Sequence, residues 1–197
     1  MIDSALVALS YLLGSVPTGY ILGWLSGIDV RTLGSGNVGA TNVARVVGRG
    51  QGLLTLTADA AKGWLPIFAA QQLGVSLPMT LLAGAAAFLG HLYPVFLGFK
   101  GGKGVATAFG VFLALAPLAT LCMIGVFAVS ILACRIVSLS SLAAAVSAPP
   151  ILWLLGFSPM VIVLGVGIAV MIILRHRGNI GRVLAGTEPR LGSSNSR

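Results

Sequence analysis

The sequence predicts an all-α integral membrane protein with about seven transmembrane helices. Three observations lead there. Of the 197 residues, 57% are hydrophobic and only 8% charged, where a soluble domain carries about 25% charged residues. Four stretches run without any charge: residues 4–28, 63–99, 104–134 and 136–174. Finally, 12 Lys+Arg against 4 Asp+Glu give a net charge of +8, and the basic residues stand between the apolar runs. A basic balance often signals nucleic acid. This placement points instead to lipid headgroups or an anionic substrate, and no nucleic-acid partner is expected.

A span needs about 20 residues, so residues 4–28 form one helix despite Pro17. No basic segment precedes it and no clear small-residue cleavage site precedes Asp29, which reads as an uncleaved anchor. A second helix is expected over 53–71. It carries Asp59 and Lys62, which at i,i+3 share a face and can pair. A third covers 77–99, after a turn at 74–78. The stretch 104–134 is one helix or two, and the distribution of basic residues decides. With seven spans, Arg31, Arg45, Arg49, Lys100, Lys103, Arg135, Arg175, Arg177, Arg182, Arg190 and Arg197 share one side. The opposite loops, near 72–76, 116–118 and 156–158, carry no charge. With six spans, Arg135 and the basic C-terminus cannot share a side with the first two basic loops. Seven spans follow, with the N-terminus outside and the C-terminus cytoplasmic. Pro117 is the natural break, leaving two short helices of about 14–15 residues each, tilted or thinning the bilayer. The last run splits at 156–159 into 136–155 and 160–174. Residues 1–188 are read as a single polytopic domain without internal repeats, and 189–197 as a polar, disordered tail.

The acids are few: Asp3, Asp29, Asp59 and Glu188. No two are close enough in sequence to form a local metal cage, which argues against an ATPase or a two-metal hydrolase. Neither metal nor cofactor is expected. Cys122 and Cys134, about 18 Å apart along one helix, are too far apart for a disulfide and read as packing residues.

Four polar segments share the cytoplasmic side in this topology. Residues 33–45 hold three glycines in six residues (Gly34, Gly36, Gly39), letting backbone approach a ligand closely. Ser35, Asn37, Thr41 and Asn42 add short polar groups, and Arg45 adds a fork suited to phosphate. An ordinary Gly/Asn turn is the competing reading. Residues 100–104, Lys-Gly-Gly-Lys-Gly, lead into a helix near Val105. Glycines before a helix N-terminus favour an anion, although two lysines flanking a flexible turn would look the same. The spacing is not that of a Walker A loop. Residues 135–141 put Ser138 and Ser141 at i,i+3 on one side of a helix start, where capping alone would explain them. Residues 175–182 combine topology-anchoring arginines with His176 and Asn179, which anchoring does not explain. His176 suits proton transfer near neutral pH. His91, deep in an apolar run, needs a partner, and the Asp59/Lys62 face is the expected one. Together these segments suit an anion-binding cup at the cytoplasmic mouth of a helix bundle, where a small phosphorylated substrate meets a lipidic one.

Three runs resemble the signatures of one family. They are Gly-Ser-Gly-Asn-x-Gly-Ala-Thr-Asn-x-x-Arg at 34–45, Lys-Gly-Gly-Lys-Gly-Val-Ala-Thr at 100–107, and His-Arg-x-Asn-Ile-x-Arg at 176–182 with Gly186 and Glu188. Asp59-x-x-Lys62-Gly63, Gly90-His91 and Ser138-Leu139-x-Ser141 extend the likeness along the chain. The family is the bacterial acyl-phosphate:glycerol-3-phosphate acyltransferase, PlsY. The resemblance implies a multi-pass enzyme of the bacterial cytoplasmic (inner) membrane with its active site facing the cytoplasm. It implies transfer of a fatty acyl group from acyl phosphate to the sn-1 hydroxyl of glycerol 3-phosphate, yielding lysophosphatidic acid and phosphate. It also implies that Ser35, Arg45, Lys103, Ser141, His176 and Asn179 line the polar site. Lys103, His176, Asn179 and Ser141 are taken as catalytic. Ser35, Gly36, Asn37, Thr41, Asn42, Arg45, Lys100, Gly101, Gly102, Gly104 and Ser138 are taken to bind substrate, the three loop glycines through backbone N–H groups. Asp59, Lys62, His91 and Glu188 are read as structural, with Glu188 braced by a nearby arginine. Neither a Ser–His–Asp arrangement nor His-x4-Asp is present, so direct attack without an acyl-enzyme is expected. The rivals are a transporter of an organic phosphate, the same acylation with acyl-CoA as donor, and a lipid-binding scaffold.

Overall fold

A computed structural model describes residues 2–192. Among these the secondary structure is helical, without strands. The helices are α1 (Ile2–Gly14), α2 (Thr18–Leu25), α3 (Ala40–Val46), α4 (Arg49–Gln72), α5 (Leu77–Leu92), α6 (Val105–Leu115), α7 (Pro117–Cys134), α8 (Val137–Leu154), α9 (Pro159–Arg175) and α10 (Arg177–Leu184), with a 3-10 turn at Val95–Leu97. They form two compact units, Met1–Leu115 and Ala116–Arg197.

In the first unit, α4 packs against α3, α5 and α6, and α1 lies along α5. Between apolar helices in lipid, close van der Waals packing rather than escape from water drives association. Small residues make that packing possible. A Cβ on Gly63 would collide with the Thr107 carbonyl, and one on Gly110 with the Ala60 carbonyl. Backbone therefore meets backbone where α4 crosses α6. Ile67, Ala83, Ala87, Phe88 and Val111 fill the interior. A smaller cluster of Val30, Val38 and Val43, with Tyr20, Ile28, Val46, Val47 and Leu97 against it, lies beneath the first glycine-rich segment.

In the second unit, α8 packs against both α7 and α9, and α10 rests on α8 and α9. The axis turns by 60° between α9 and α10.

Among the described residues, four segments are long and apolar enough to cross a membrane: Ser4–Leu25, Leu77–Leu97, Pro117–Cys134 and Val137–Leu154. The bent pair α9–α10 makes a fifth if it is counted as one broken span. The first segment is broken rather than continuous, because Pro17 has no N–H to donate and α1 stops at Gly14. Pro117 breaks the chain as expected, and Ala116 before it has left the helical region (φ −146°, ψ 68°). The flanking helices are unequal, 11 and 18 residues, rather than about 14–15 each. Gly101 and Gly102 bond back to the end of α5, Gly104 accepts from Ala108 in the first turn of α6, and Pro117 itself starts α7. Two segments read as loops, 40–46 and 177–184, are short helices. Of the tail expected to be disordered, Leu191 donates its N–H to the Arg135 carbonyl at 2.7 Å, and 193–197 lie outside the described residues.

Candidate active site

The first unit carries two of the polar segments. Ahead of α3, Gly34 and Gly36 take left-handed φ of 61° and 68°, which L side chains adopt at a cost. The Asn37 side-chain oxygen accepts the Gly39 N–H at 2.8 Å, a local Asx turn. Ser35, Gly36, Thr41 and Arg45 are exposed and Asn37 is half-buried. Thr41 and Arg45 stand at i,i+4 and so share one face of α3. Asn42 departs from its expected role as a substrate ligand. It is 2% exposed, its oxygen accepts the Ser35 N–H at 2.8 Å, and its nitrogen donates to the carbonyls of Val30 at 2.9 Å and Leu33 at 3.2 Å. Its amide is committed to shaping the loop that displays Ser35.

The second segment also departs from expectation. Gly101 N–H donates to the Leu92 carbonyl and Gly102 N–H to the His91 carbonyl, each at 3.1 Å. These amides complete the end of α5, whose last carbonyls have no partner within the helix. Both amides, expected as substrate donors, are thus engaged with the end of α5. Gly104 has φ of 81° and directs the chain into α6. Lys100 is exposed and Lys103 half-buried.

Below this loop lies the charged cluster read as structural. Asp59 and Lys62 pair at 2.8 Å, and Lys62 Nζ also donates to the Val16 carbonyl at 2.9 Å, at the break between α1 and α2. His91 Nδ1 lies 3.8 Å from Asp59 Oδ1 and 3.1 Å from Thr107 Oγ1. The expected pairing of His91 with the Asp59/Lys62 face is observed. Thr107 is the partner that sequence reasoning missed. Its place in the 100–107 run was the available signal, but nothing there specifies which side chain it meets.

The second unit gathers the other two segments around Glu188. Ser138 Oγ donates to Glu188 Oε1 at 2.6 Å and Asn179 Nδ2 to the same oxygen at 2.5 Å. Arg182 Nε donates to Oε2 at 2.7 Å. The Glu188 side chain is 7% exposed. Burial pushes its carboxyl up, yet the donors from Ser138, Asn179 and Arg182 outweigh that, and the group lies below the ordinary range. The arginine brace was anticipated. That Ser138 and Asn179 would turn to the same carboxylate was not, since 50 residues separate Ser138 from it. Ser138, expected to bind substrate, and Asn179, expected to be catalytic, thus each give a donor to Glu188.

The alternative that these serines cap α8 does not hold, since no side chain caps its N-terminus. Ser141 Oγ donates to the Val137 carbonyl at 2.9 Å and Ser140 Oγ to Ile136 at 3.0 Å, both bonds running back along the helix. Ser141, read as catalytic, therefore has its proton directed into backbone. His176 is 2% exposed at the α9–α10 bend. Its Nδ1 lies 2.8 Å from the Ile172 carbonyl. A carbonyl only accepts, so Nδ1 carries the hydrogen, and in the neutral ring Nε2 holds the lone pair.

The glycerol-3-phosphate acyltransferase family matches residues 4–186. The chain belongs to this family. The glycerol-3-phosphate acyltransferase of Trichlorobacter lovleyi is 53% identical over 93% of this chain and 95% of its own length. That of Geobacter metallireducens is 52% identical over 96% and 98%. Among solved structures, crystal structures of PlsY, described as an integral membrane glycerol 3-phosphate acyltransferase, superpose closely. The glycerol 3-phosphate form has a TM-score of 0.94 and 44% identity, covering 98% of this chain and 96% of that one. The lysophosphatidic acid form has a TM-score of 0.90 and 43% identity. This chain is thus a membrane-embedded acyltransferase of the glycerol-3-phosphate acyltransferase family, and the expected all-α membrane fold and the expected family are borne out.

Proposed function

We propose that the protein moves a fatty acyl group from acyl phosphate to the sn-1 hydroxyl of glycerol 3-phosphate, at the cytoplasmic face of the bacterial inner membrane. One observation carries this reading. The solved relatives are described in a glycerol 3-phosphate form and a lysophosphatidic acid form, and those two molecules differ by one acyl group. The donor is proposed on the resemblance of the three signature runs to the acyl-phosphate-dependent family. An acyl phosphate is an activated anhydride and an acyl-CoA an activated thioester, so either could be attacked directly, and the test below separates them.

The sn-1 oxygen attacks the acyl carbonyl carbon, and the carbon–oxygen bond to phosphate breaks. Phosphate leaves with the electron pair. The hydroxyl proton passes to His176 Nε2 or to a phosphate oxygen of the substrate. The bond from His176 Nδ1 to the Ile172 carbonyl supports the imidazole route, because it leaves the lone pair on Nε2. Arg45 and Lys103 hold phosphate and offset charge that develops in the transition state. Ser35, Gly36, Asn37, Thr41, Lys100 and Gly104 assist in binding. Asn179, Ser138 and Ser141 act by holding position rather than by contacting substrate, in keeping with their bonds to Glu188 and to backbone. Residues 1–188 form one functional domain of seven crossings, N-terminus outside and C-terminus cytoplasmic. The one-sided distribution of basic residues supports that orientation.

The test uses purified protein in detergent with labelled glycerol 3-phosphate. Palmitoyl phosphate is expected to give labelled lysophosphatidic acid and palmitoyl-CoA none. Product from palmitoyl-CoA would overturn the donor, and no product from either would overturn the activity. His176→Ala with near-normal turnover would remove the imidazole route.

A further inference from the structure

We infer that His91 is a positioning residue for the lysine–glycine loop, and that Thr107, Asp59 and Lys62 orient its ring for that task. The inference rests on the reading that this loop handles substrate phosphate.

His91 meets the loop twice. Its carbonyl accepts the Gly102 N–H at 3.1 Å. Its imidazole edge occupies the space where a Gly102 side chain would stand. A Cβ built there would collide with Nε2 and come within 3.1 Å of both Cδ2 and Cε1. Gly102 is thus seated on the ring as well as bonded to the backbone beneath it. The opposite edge of the ring faces α6. Nδ1 is 3.1 Å from Thr107 Oγ1, near the start of that helix, and Thr107 has no exposure. One ring therefore spaces Gly102 from the first turn of α6, with Lys103 between them in the chain.

The ring's own position is held from α4. Asp59 Oδ1 lies 3.8 Å from Nδ1 and is fixed by Lys62 at 2.8 Å. Lys62 in turn donates to the Val16 carbonyl. Asp59, Lys62 and His91 are 3%, 5% and 6% exposed, buried around a small cavity at the α1–α2 break. Burying charge is costly unless it is paired. A cluster needed only for packing would be served as well by apolar side chains. Its effect is instead to orient one imidazole, and what that imidazole carries is the loop.

The experiment is steady-state kinetics on His91→Ala, Thr107→Val, Gly102→Ala and the double variant His91→Ala/Gly102→Ala, with unfolding temperature recorded for each. Thr107→Val keeps size and burial and loses only the hydroxyl. It is expected to raise KM for a phosphorylated substrate about tenfold with little change in kcat, since displacement of a positioning group by an ångström can cost up to about a hundredfold. Gly102→Ala alone is expected to lose most activity. In the His91→Ala background the same change is expected to cost at least about tenfold less, because the Cβ then has room, and this coupling identifies direct contact. A fall in unfolding temperature with KM for both substrates unchanged, or additive losses in the double variant, would overturn the inference. Lys103→Ala separates the two readings. If it raises KM while the His91 and Thr107 variants do not, the loop's role stands and His91's falls. If Lys103→Ala leaves KM for both substrates unchanged, both fall.

Discussion

Asp59 and Glu188 each accept from a cationic side chain, yet their surroundings differ. Asp59 pairs with a lysine one turn away on its own helix, and both are almost completely buried. Glu188 lies beyond α10 and collects donors from α8 and α10, with Arg182 at 43% exposure. The first pair is local in sequence and enclosed on all sides. The second joins distant segments and keeps one edge in solvent. The enclosed pair is therefore costly to break singly, and through Val16 and His91 it also ties α4 to the α1–α2 break and to α5. The Glu188 hub instead fixes where the segment after α10 docks.

The largest expected effect comes from breaking the enclosed pair. Asp59→Ala should destabilise the protein by about 3–5 kcal/mol, because it strands the Lys62 charge in the interior. The double variant Asp59→Leu/Lys62→Met should recover most of that loss. Thermal unfolding in detergent measures both, and a single-variant loss below about 1 kcal/mol would mean that water reaches the pair. Next comes Gly110→Ala, which places a methyl against the Ala60 carbonyl. Overpacking of this kind costs about 1–3 kcal/mol, and the same scan detects it.

Glu188→Gln comes close behind, at about 1–3 kcal/mol, since it weakens three donors' interactions without removing the side chain. It also carries a pH signature. The Glu188 carboxyl is held below its ordinary value in the folded protein, so its stabilisation is complete above the unfolded value of about 4.3 and is lost as pH falls toward the folded one. The difference in unfolding temperature between wild type and Glu188→Gln should narrow as pH drops through that window. A constant difference would show that the hub acts by shape alone. The smallest effect belongs to an exposed pair. Arg31 holds Asp29 at 2.7 Å, and its hydrogen bonds lower that carboxyl to about 2. Both groups face solvent, which screens them, so Arg31→Ala should leave the unfolding temperature unchanged within error.

The residues differ in how far they could be read without a fold. Apolar run lengths located the main helices, because a chain in lipid must satisfy its own backbone hydrogen bonds. Pro117 located its break because proline cannot donate to the preceding turn and disfavours the helical conformation in the residue before it. The Asp59–Lys62 pair followed from helical periodicity alone. The family signatures were likewise legible, since they are contiguous runs at 34–45, 100–107 and 176–182.

Tertiary structure decided what each polar group does. Asn42, read as a ligand, gives its amide to Val30, Leu33 and Ser35. Gly101 and Gly102, read as substrate donors, turn their amides to the Leu92 and His91 carbonyls at the end of α5. Ser138 and Asn179 turned to a carboxylate that comes from the end of the chain. Local periodicity shows which groups share a face within about one turn. A buried donor must bond to whatever acceptor folding brings near it, and for these residues most of those acceptors lie too far along the chain for spacing to predict.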